Sequence, residues 1–379
     1  MKILRILHIA SFAGNIGDNA SHIGFRRILK TLGIFAKIDQ MEIRRFYKNY
    51  SLPDKQVFDE SFVVMANKYD LVVFGGGGFL DFWVPNSETG TTIDISLDLF
   101  EKLNVPLLFT SVGCIPHKDV PEGNIEKFTR FVHAILEIKN AEIAVRNDGS
   151  KTILKAVLGE ETAAKIPQIL DNGFFYQPQR RYSRIIDGKY VAINVTKDQL
   201  LMKNQIIGEI NTEHFNQELR KYIDSIINYS DLKIVFVPHI FSDIEAIQYA
   251  LKDVNDFVIR TRVAIAPYIQ GDYGSDYLMS VYEGAEYVVG MRFHANVCSL
   301  AQGKPIAGLA ALDRIKYMCQ SVGAENYIVD VNSDFSKPLF ESTMCFVGHG
   351  QEENVTKSIL SMKQASLQTY KSLLYNLYH

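Results

Sequence analysis

Cysteine is sparse in this chain: Cys114, Cys298, Cys319 and Cys345 are scattered, and no two form a CxxC pair. Such spacing supports neither a structural zinc site nor a disulfide framework, and no metal is expected. No run of about 18 apolar residues occurs, so no segment reads as a membrane-spanning helix. Met1 opens directly onto the strand-like KILRILHIA, which is too short and too soon interrupted for a signal peptide. An excess of charge of one sign is also missing. The 40 Lys and Arg against 43 Asp and Glu leave a formal net charge of −3, without the basic patch that nucleic-acid binding favours. Internal repeats and low-complexity tracts are absent. These absences point to a reducing cytoplasm and to no nucleic-acid partner.

What is present fits a soluble globular chain. Hydrophobic residues make up 47% and charged residues 22%, which argues against disorder. A length of 379 residues suggests two domains, at roughly 150 residues each. Short apolar runs alternate with helical stretches, the pattern of a parallel sheet covered on both faces. In the first half the strand-like runs are ILRILHIA, IFAKIDQ, YDLVVFGGGG, VPLLFTSVG and AEIAVR, and a helix is predicted over ASHIGFRRILKTLG. In the second half they are YVAINVT, LKIVFVPHI, DFVIRT, EYVVGMR, KPIAGLA and NYIVDV. The polar stretch at 176–190, YQPQRRYSRIIDGKY, reads as the linker. The fold class that follows is α/β, with two Rossmann-like doubly wound domains facing across a cleft. Their expected bounds are 1–180 and 181–350. A C-terminal helix over 351–379 then follows, with apolar positions Ile359, Leu367, Leu373 and Leu377. It could pack back across the junction or rest on a membrane surface, and packing is the expectation.

In open α/β sheets ligands gather at the C-terminal strand edge, and the polar and small residues of this chain fall there. The stretch GMRFHANVCSLAQG, at 290–303, runs from a strand into a helix whose apolar face is Phe293, Val297, Leu300 and Ala301. Arg292 and His294 therefore fall at the first turn, where backbone N–H groups and the helix dipole favour an anion. Arginine adds a forked, permanent cation and histidine adds a proton that moves near neutral pH. The plainer alternative is a surface Arg and a locally capping His.

After the first strand comes GNIGDNA, which is not a GxGxxG fingerprint. Gly14 and Gly17 permit a tight turn there, while Asn15 and Asp18 could bind hydroxyls, or Asp18 could cap the next helix. Gly76 and Gly77, within the Gly75–Gly78 run, let a backbone approach a ligand or merely relieve crowding. Arg146 could reach an anion from its strand end. His239 could line the cleft or hydrogen-bond locally, and Asp171 reads as structural.

These stretches, taken together, resemble a known family. SFAGNIGDNA, LVVFGGGGFLD, TSVGCIP, AVRNDGSK, ILDNGFF and GMRFHANVCSLAQGKPIAGLA…LDRIK follow in the order of the polysaccharide pyruvyl transferase family, over roughly residues 10–317. The resemblance implies a glycosyltransferase-B type of fold, with the N-terminal domain on the acceptor side and the C-terminal domain on the donor side. It implies transfer of pyruvate from phosphoenolpyruvate to two hydroxyls of a sugar, giving a ketal. The acceptor would be a cell-surface polysaccharide precursor, free or lipid-linked, and the protein could sit at the inner face of the cytoplasmic membrane. No cofactor is expected beyond the donor substrate.

In that frame Arg292 holds the donor, with Lys316 of LDRIK a second cation and Arg146 a third. His294 gives the proton, and Asp18 is the second catalytic candidate. Gly14, Asn15, Gly17, Gly76, Gly77 and His239 serve the acceptor. One departure stands out. Family members carry an arginine after the first strand of the second domain, where this chain has Asn194, Thr196 and Lys197. Either Lys197 replaces it in part, or the donor is held differently. Two rivals remain: a nucleotide-sugar glycosyltransferase, for which Glu283 and Glu286 lack a carboxylate partner at the spacing such enzymes use, and an inactive scaffold subunit.

Overall fold

The computed structural model describes residues 3–202 and 208–378, so Met1 and Lys2 at the head of KILRILHIA lie outside the described residues. The chain divides into two compact units. One holds the residues up to Phe12, Phe25–Asn172 and those from Ser361 onward; the other holds Ala13–Gly24 and Gly173–Leu360. The division thus falls just ahead of the polar 176–190 stretch. It also sends the 14–18 segment to the second unit, although that segment was expected with the first.

The first unit is built from β1 (Leu4–Ala10), α1 (Ile16–Thr31), β2 (Ala36–Glu42), α2 (Glu60–Ala66), β3 (Leu71–Phe74), α3 (Leu97–Phe100), β4 (Leu107–Val112), α4 (Asn124–Glu137), β5 (Ala141–Arg146), α5 (Ser150–Leu158), α6 (Glu160–Ala164) and β6 (Gln168–Ile169). The first residues of α1 group with the second unit. All strand pairs are parallel, in the order β2-β1-β3-β4-β5-β6. The central strands are buried from end to end, which is why LVVF and the LLF that opens β4 read as unbroken apolar runs. Phe74 and Phe109 stack at 4.8 Å between centroids, and Phe131 of α4 meets Phe109 edge-on.

The second unit comprises β7 (Tyr190–Asn194), α7 (Thr212–Tyr229), β8 (Lys233–Phe236), α8 (Asp243–Leu251), α9 (Asp256–Arg262), β9 (Val263–Ile265), α10 (Gly271–Gly284), β10 (Tyr287–Gly290), α11 (Phe293–Ala301), β11 (Ile306–Leu309), α12 (Asp313–Ser321), β12 (Ile328–Val329), α13 (Ser336–Phe346) and the start of α14 (Glu353–Asn376). Its sheet is also parallel, in the order β12-β11-β10-β7-β8-β9. Strand order reverses between β7 and β10, the place where doubly wound sheets leave a crevice for ligands.

One element differs from its sequence reading. DFVIRT was expected as a strand and is the helix α9, with the strand displaced to Val263–Ile265. Asn255 caps it by accepting from Phe257 N at 2.9 Å, and Asp256 pairs with Arg260 one turn on. Local capping and an i,i+4 ion pair outweigh the β-branched content of so short a segment.

The apolar face of α14 is buried at Val355, Ile359, Tyr370, Leu373 and Leu377. No helix of the described residues is long and apolar enough to cross a membrane. Within the first unit, the Tyr370 hydroxyl accepts from Thr110 Oγ1 and donates to Asn172 Oδ1, while Ser366 Oγ accepts from Leu170 N at 3.0 Å. Tyr370→Phe would strip both side chains of this partner in a fully buried place. The expected loss is about 1–3 kcal/mol, read as a lower denaturant midpoint by circular dichroism; an unchanged midpoint would mean that the hydroxyl contributes nothing to the docking of α14.

Candidate active site

The site of the second unit begins with an ion pair. Arg292 is the N-cap residue of α11, held extended, and its side chain does not cap the helix. Its Nε donates to Asp243 Oδ2 at 2.8 Å and its Nη2 to Asp243 Oδ1, to Thr196 Oγ1 at 2.7 Å and to Asp198 Oδ1 at 2.9 Å. Nη1 carries none of these bonds. Burial opposes the charge, but Asp243 and Asp198 outweigh it and hold the guanidinium above its ordinary range. Asp243 is itself fully buried at the start of α8, where its Oδ2 also accepts from His239 N at 2.9 Å and Ile240 N at 3.2 Å. Asn194, ending β7, ties the strand ends together. Its Oδ1 accepts from Arg292 N at 2.8 Å, and its Nδ2 donates to Val237 O at 2.9 Å.

Two residues past Arg292, His294 turns its Nδ1 toward Asp18 Oδ1 at 3.6 Å, both side chains largely buried. The approach is possible because residue 17 is glycine. A Cβ there would stand 2.6 Å from His294 Cβ and 2.9 Å from Nδ1. The loop is fastened by Asn15, whose Oδ1 accepts from Gly17 N at 3.0 Å, so Asn15 rather than Asp18 closes the first turn of α1. Gln270 Oε1 accepts from Gly14 N at 2.9 Å, and Asn19 Nδ2 donates to Asp272 Oδ1 at 3.2 Å.

The structure thus brings Asp18, Gly17 and His294 together and sets Arg292 beside them in sequence. Other expected site residues lie differently. Lys197 is exposed and paired with Glu245 at 2.8 Å, on the wall of a pocket of about 400 Å³ with Leu200, Thr212 and Tyr249. Its neighbours Thr196 and Asp198 bond to the guanidinium of Arg292. Lys316 is half-buried on α12. His239 is fully buried, with Nε2 at 2.7 Å from Tyr282 Oη, so it hydrogen-bonds locally instead of lining an open surface.

In the first unit, Arg146 is buried, donating from Nε to Asp148 Oδ2 at 2.6 Å and facing Asp171 at 3.5 Å. Burial opposes its charge; Asp148 and Asp171 hold it above the ordinary range all the same. The glycine run there serves packing. A Cβ at Gly75 would stand 1.8 Å from Thr110 O, and one at Gly77 2.6 Å from the Phe79 ring, so the protein's own atoms occupy the room beside Gly75 and Gly77. Among the described residues no group of three or more His, Cys, Asp or Glu is placed to hold a metal.

Asp243 and Asp198 were missed by the sequence reading. Asp243 follows the β8 strand end by a few residues in HIFSDIEA, a position that the strand-edge rule covers, but it resembles an ordinary helix-start aspartate.

Burial, aided by Arg292 and His294, pushes the His239 pKa well below the ordinary imidazole range. The native ring stays neutral, while the unfolded chain takes up its proton near pH 6.5. Stability from this group is therefore complete above that pH. As pH falls below it, stability is lost at up to about 1.4 kcal/mol per unit until the folded pKa is reached. His239→Gln should flatten the denaturation midpoint between about pH 6.5 and 5 relative to wild type. Parallel profiles for the two proteins would show that His239 does not titrate on unfolding.

Comparison with known proteins supplies the frame. A family model described as polysaccharide pyruvyl transferase matches residues 15–312. A search of curated protein sequences returns no match. Among solved structures, a protein from Listeria monocytogenes described as a UDP-N-acetylglucosamine 2-epimerase aligns over 98% of this chain and 96% of its own, at 11% identity and a TM-score of 0.59. The S. aureus MnaA–UDP structure aligns over 98% of both chains, at 11% identity and a TM-score of 0.54. The glycosyltransferase VinC, in complex with dTDP, covers 99% of both at 10% identity and a TM-score of 0.47. At such identities the first two likenesses speak to fold alone, and the fold is the expected two-domain, Rossmann-like one of the glycosyltransferase-B kind. The family match reaches from Asn15 to Leu312 and so takes in most of both sheets and the strand ends that carry Arg292 and His294; the chain belongs to the polysaccharide pyruvyl transferase family.

Proposed function

We propose that this protein transfers pyruvate from phosphoenolpyruvate to two hydroxyls of a sugar in a cell-surface polysaccharide precursor. The observation that carries the reading is the His294–Asp18 pair at the first turn of α11. The reaction needs one proton on the enol methylene, which becomes a methyl group. The adjacent carbon then acquires oxocarbenium character, and the two sugar hydroxyls bond to it as its bond to the phosphate oxygen breaks. One hydroxyl proton replaces that given to the methylene and the other leaves with the phosphate.

His294 is the acid for the first step, with Asp18 orienting its ring and stabilising the imidazolium. The donor's phosphate and carboxylate call for an anion site. The N-terminal turn of α11 supplies backbone N–H groups in general, with Lys316 and the Nη1 edge of Arg292 as the cations. The acceptor, free or lipid-linked, is a sugar with two hydroxyls close enough to be bridged. The protein works in the cytoplasm, at the membrane face when the acceptor is lipid-linked.

The direct assay follows phosphate release from phosphoenolpyruvate in the presence of p-nitrophenyl hexopyranosides, with mass spectrometry of the sugar product. Release of UDP from UDP-hexoses, with no phosphate from phosphoenolpyruvate, would select the nucleotide-sugar glycosyltransferase in its place. His294→Ala should keep donor binding, measured by thermal shift, while turnover falls by about 10²–10⁴-fold. A folded variant turning over at the wild-type rate would remove His294 from the mechanism.

Gly17→Ala tests the same geometry while keeping the imidazole itself. The new methyl displaces His294, and kcat is expected to fall on the order of 10²-fold with donor KM little altered. An unchanged kcat would mean that the ring's position is not critical.

A further inference from the structure

The long segment between β3 and α3 has no regular secondary structure over most of its length, yet it is fastened throughout. Ser87 Oγ donates to Thr91 O at 2.7 Å and Thr89 Oγ1 to Ile93 O at 2.7 Å. Asn124 of α4 donates from Nδ2 to Phe82 O at 3.0 Å and to Val84 O at 2.9 Å. Long irregular loops that are held this firmly are commonly binding loops.

This one borders a pocket of about 320 Å³ whose walls include Tyr47, Trp83, Pro85, Thr92, Asp94 and Lys118. That volume suits a small ligand, being at the lower end of the roughly 300–1,000 Å³ typical of such sites. Trp83 is the one tryptophan of the chain. The Lys118 ammonium lies 4.2 Å from its ring centroid. Asp94 is mostly buried and is held by Lys48 at 2.7 Å on one oxygen and by Glu88 N at 2.8 Å on the other. Each carboxylate oxygen keeps a further lone pair for a hydroxyl.

We propose that this pocket is a saccharide subsite taking a pyranose unit of the acceptor. The pyranose's apolar C–H face would lie against aromatic surface, and its hydroxyls would meet Asp94 and Lys118. The lining combines the two things a pyranose offers, an apolar face and a rim of hydroxyls that both donate and accept. A nucleoside phosphate fits less well, because Asp94 repels the phosphate and Lys48 is already engaged by that carboxylate. The biological meaning of the subsite rests on the acceptor being a sugar, as proposed above. Binding, however, needs no donor and no turnover, so an inactive transfer assay and an unresponsive pocket are separate results.

The lone tryptophan makes the test direct. The full chain is titrated with methyl β-D-glucopyranoside, methyl β-D-galactopyranoside, methyl β-D-mannopyranoside, cellobiose and lactose while Trp83 emission is followed. Sorbitol serves as a flexible polyol control and UMP as a nucleotide control. A saturable change is expected with at least one pyranoside and none with sorbitol or UMP. Asp94→Asn and, at the exposed edge, Lys118→Met should each weaken that binding by about tenfold or more. The proposal is overturned if no sugar exceeds the sorbitol response, if UMP gives the saturable change, or if folded Lys118→Met binds as tightly as wild type.

Discussion

The site of the second unit hangs on the bond between Asp243 and Arg292. Burying a guanidinium is costly, several kcal/mol before any partner is counted. Here the cost is met by a carboxylate already fixed by the backbone N–H groups of His239 and Ile240. The pair therefore has one geometry. Arg292 occupies the N-cap position of α11, so fixing its side chain and its main chain also fixes where that helix starts and where His294, two residues later, stands. The position of His294 is inherited from the ion pair before it. Arg292 consequently acts first as a positioning residue, its Nε and Nη2 committed to Asp243, Asp198 and Thr196.

The first unit repeats this device with different residues. Arg146 closes β5 as Arg292 follows β10, and it too is buried against two aspartates, Asp148 and Asp171. Asp171 is anchored in turn by Asn147 Oδ1, which accepts from its N–H at 2.8 Å. In both units a strand end is made rigid by an arginine whose charge is largely answered within its own unit. Such pairs give definite geometry more reliably than net stability.

Much of this was legible beforehand. Parallel strands buried on both faces must be apolar throughout, so YDLVVF, VPLLF and EYVVG announced themselves. The strand-edge rule then picked out Arg292 and His294, and Asp18 was named although its contact with His294 joins residues far apart in the chain. What stayed hidden depended on tertiary contact. Nothing in the sequence distinguishes Asp243 as the partner of Arg292 from a helix-capping aspartate. Lys197 has the right charge and sits at the right strand end, but it pairs with Glu245. The glycines at 75–78 announce close approach correctly without saying to what, and the answer is the protein's own Thr110 and Phe79. DFVIRT failed for another reason, since a capping asparagine and an ion pair decide a segment too short for periodicity to do so.

The two sheets share their parallel sense and their strand count, and their wiring differs only at the edges. Counted from its own first strand, the sheet of the first unit runs 2-1-3-4-5-6 and that of the second 6-5-4-1-2-3. Set β6 and β9 aside, and β2-β1-β3-β4-β5 matches β8-β7-β10-β11-β12 strand for strand in chain order. The sixth strand is added at opposite edges: beyond β5 in the first unit and beyond β8 in the second. A core of five strands in one order thus tolerates its extra strand on either flank, so the edges are where each half can be lengthened without disturbing the strand ends at the switch point.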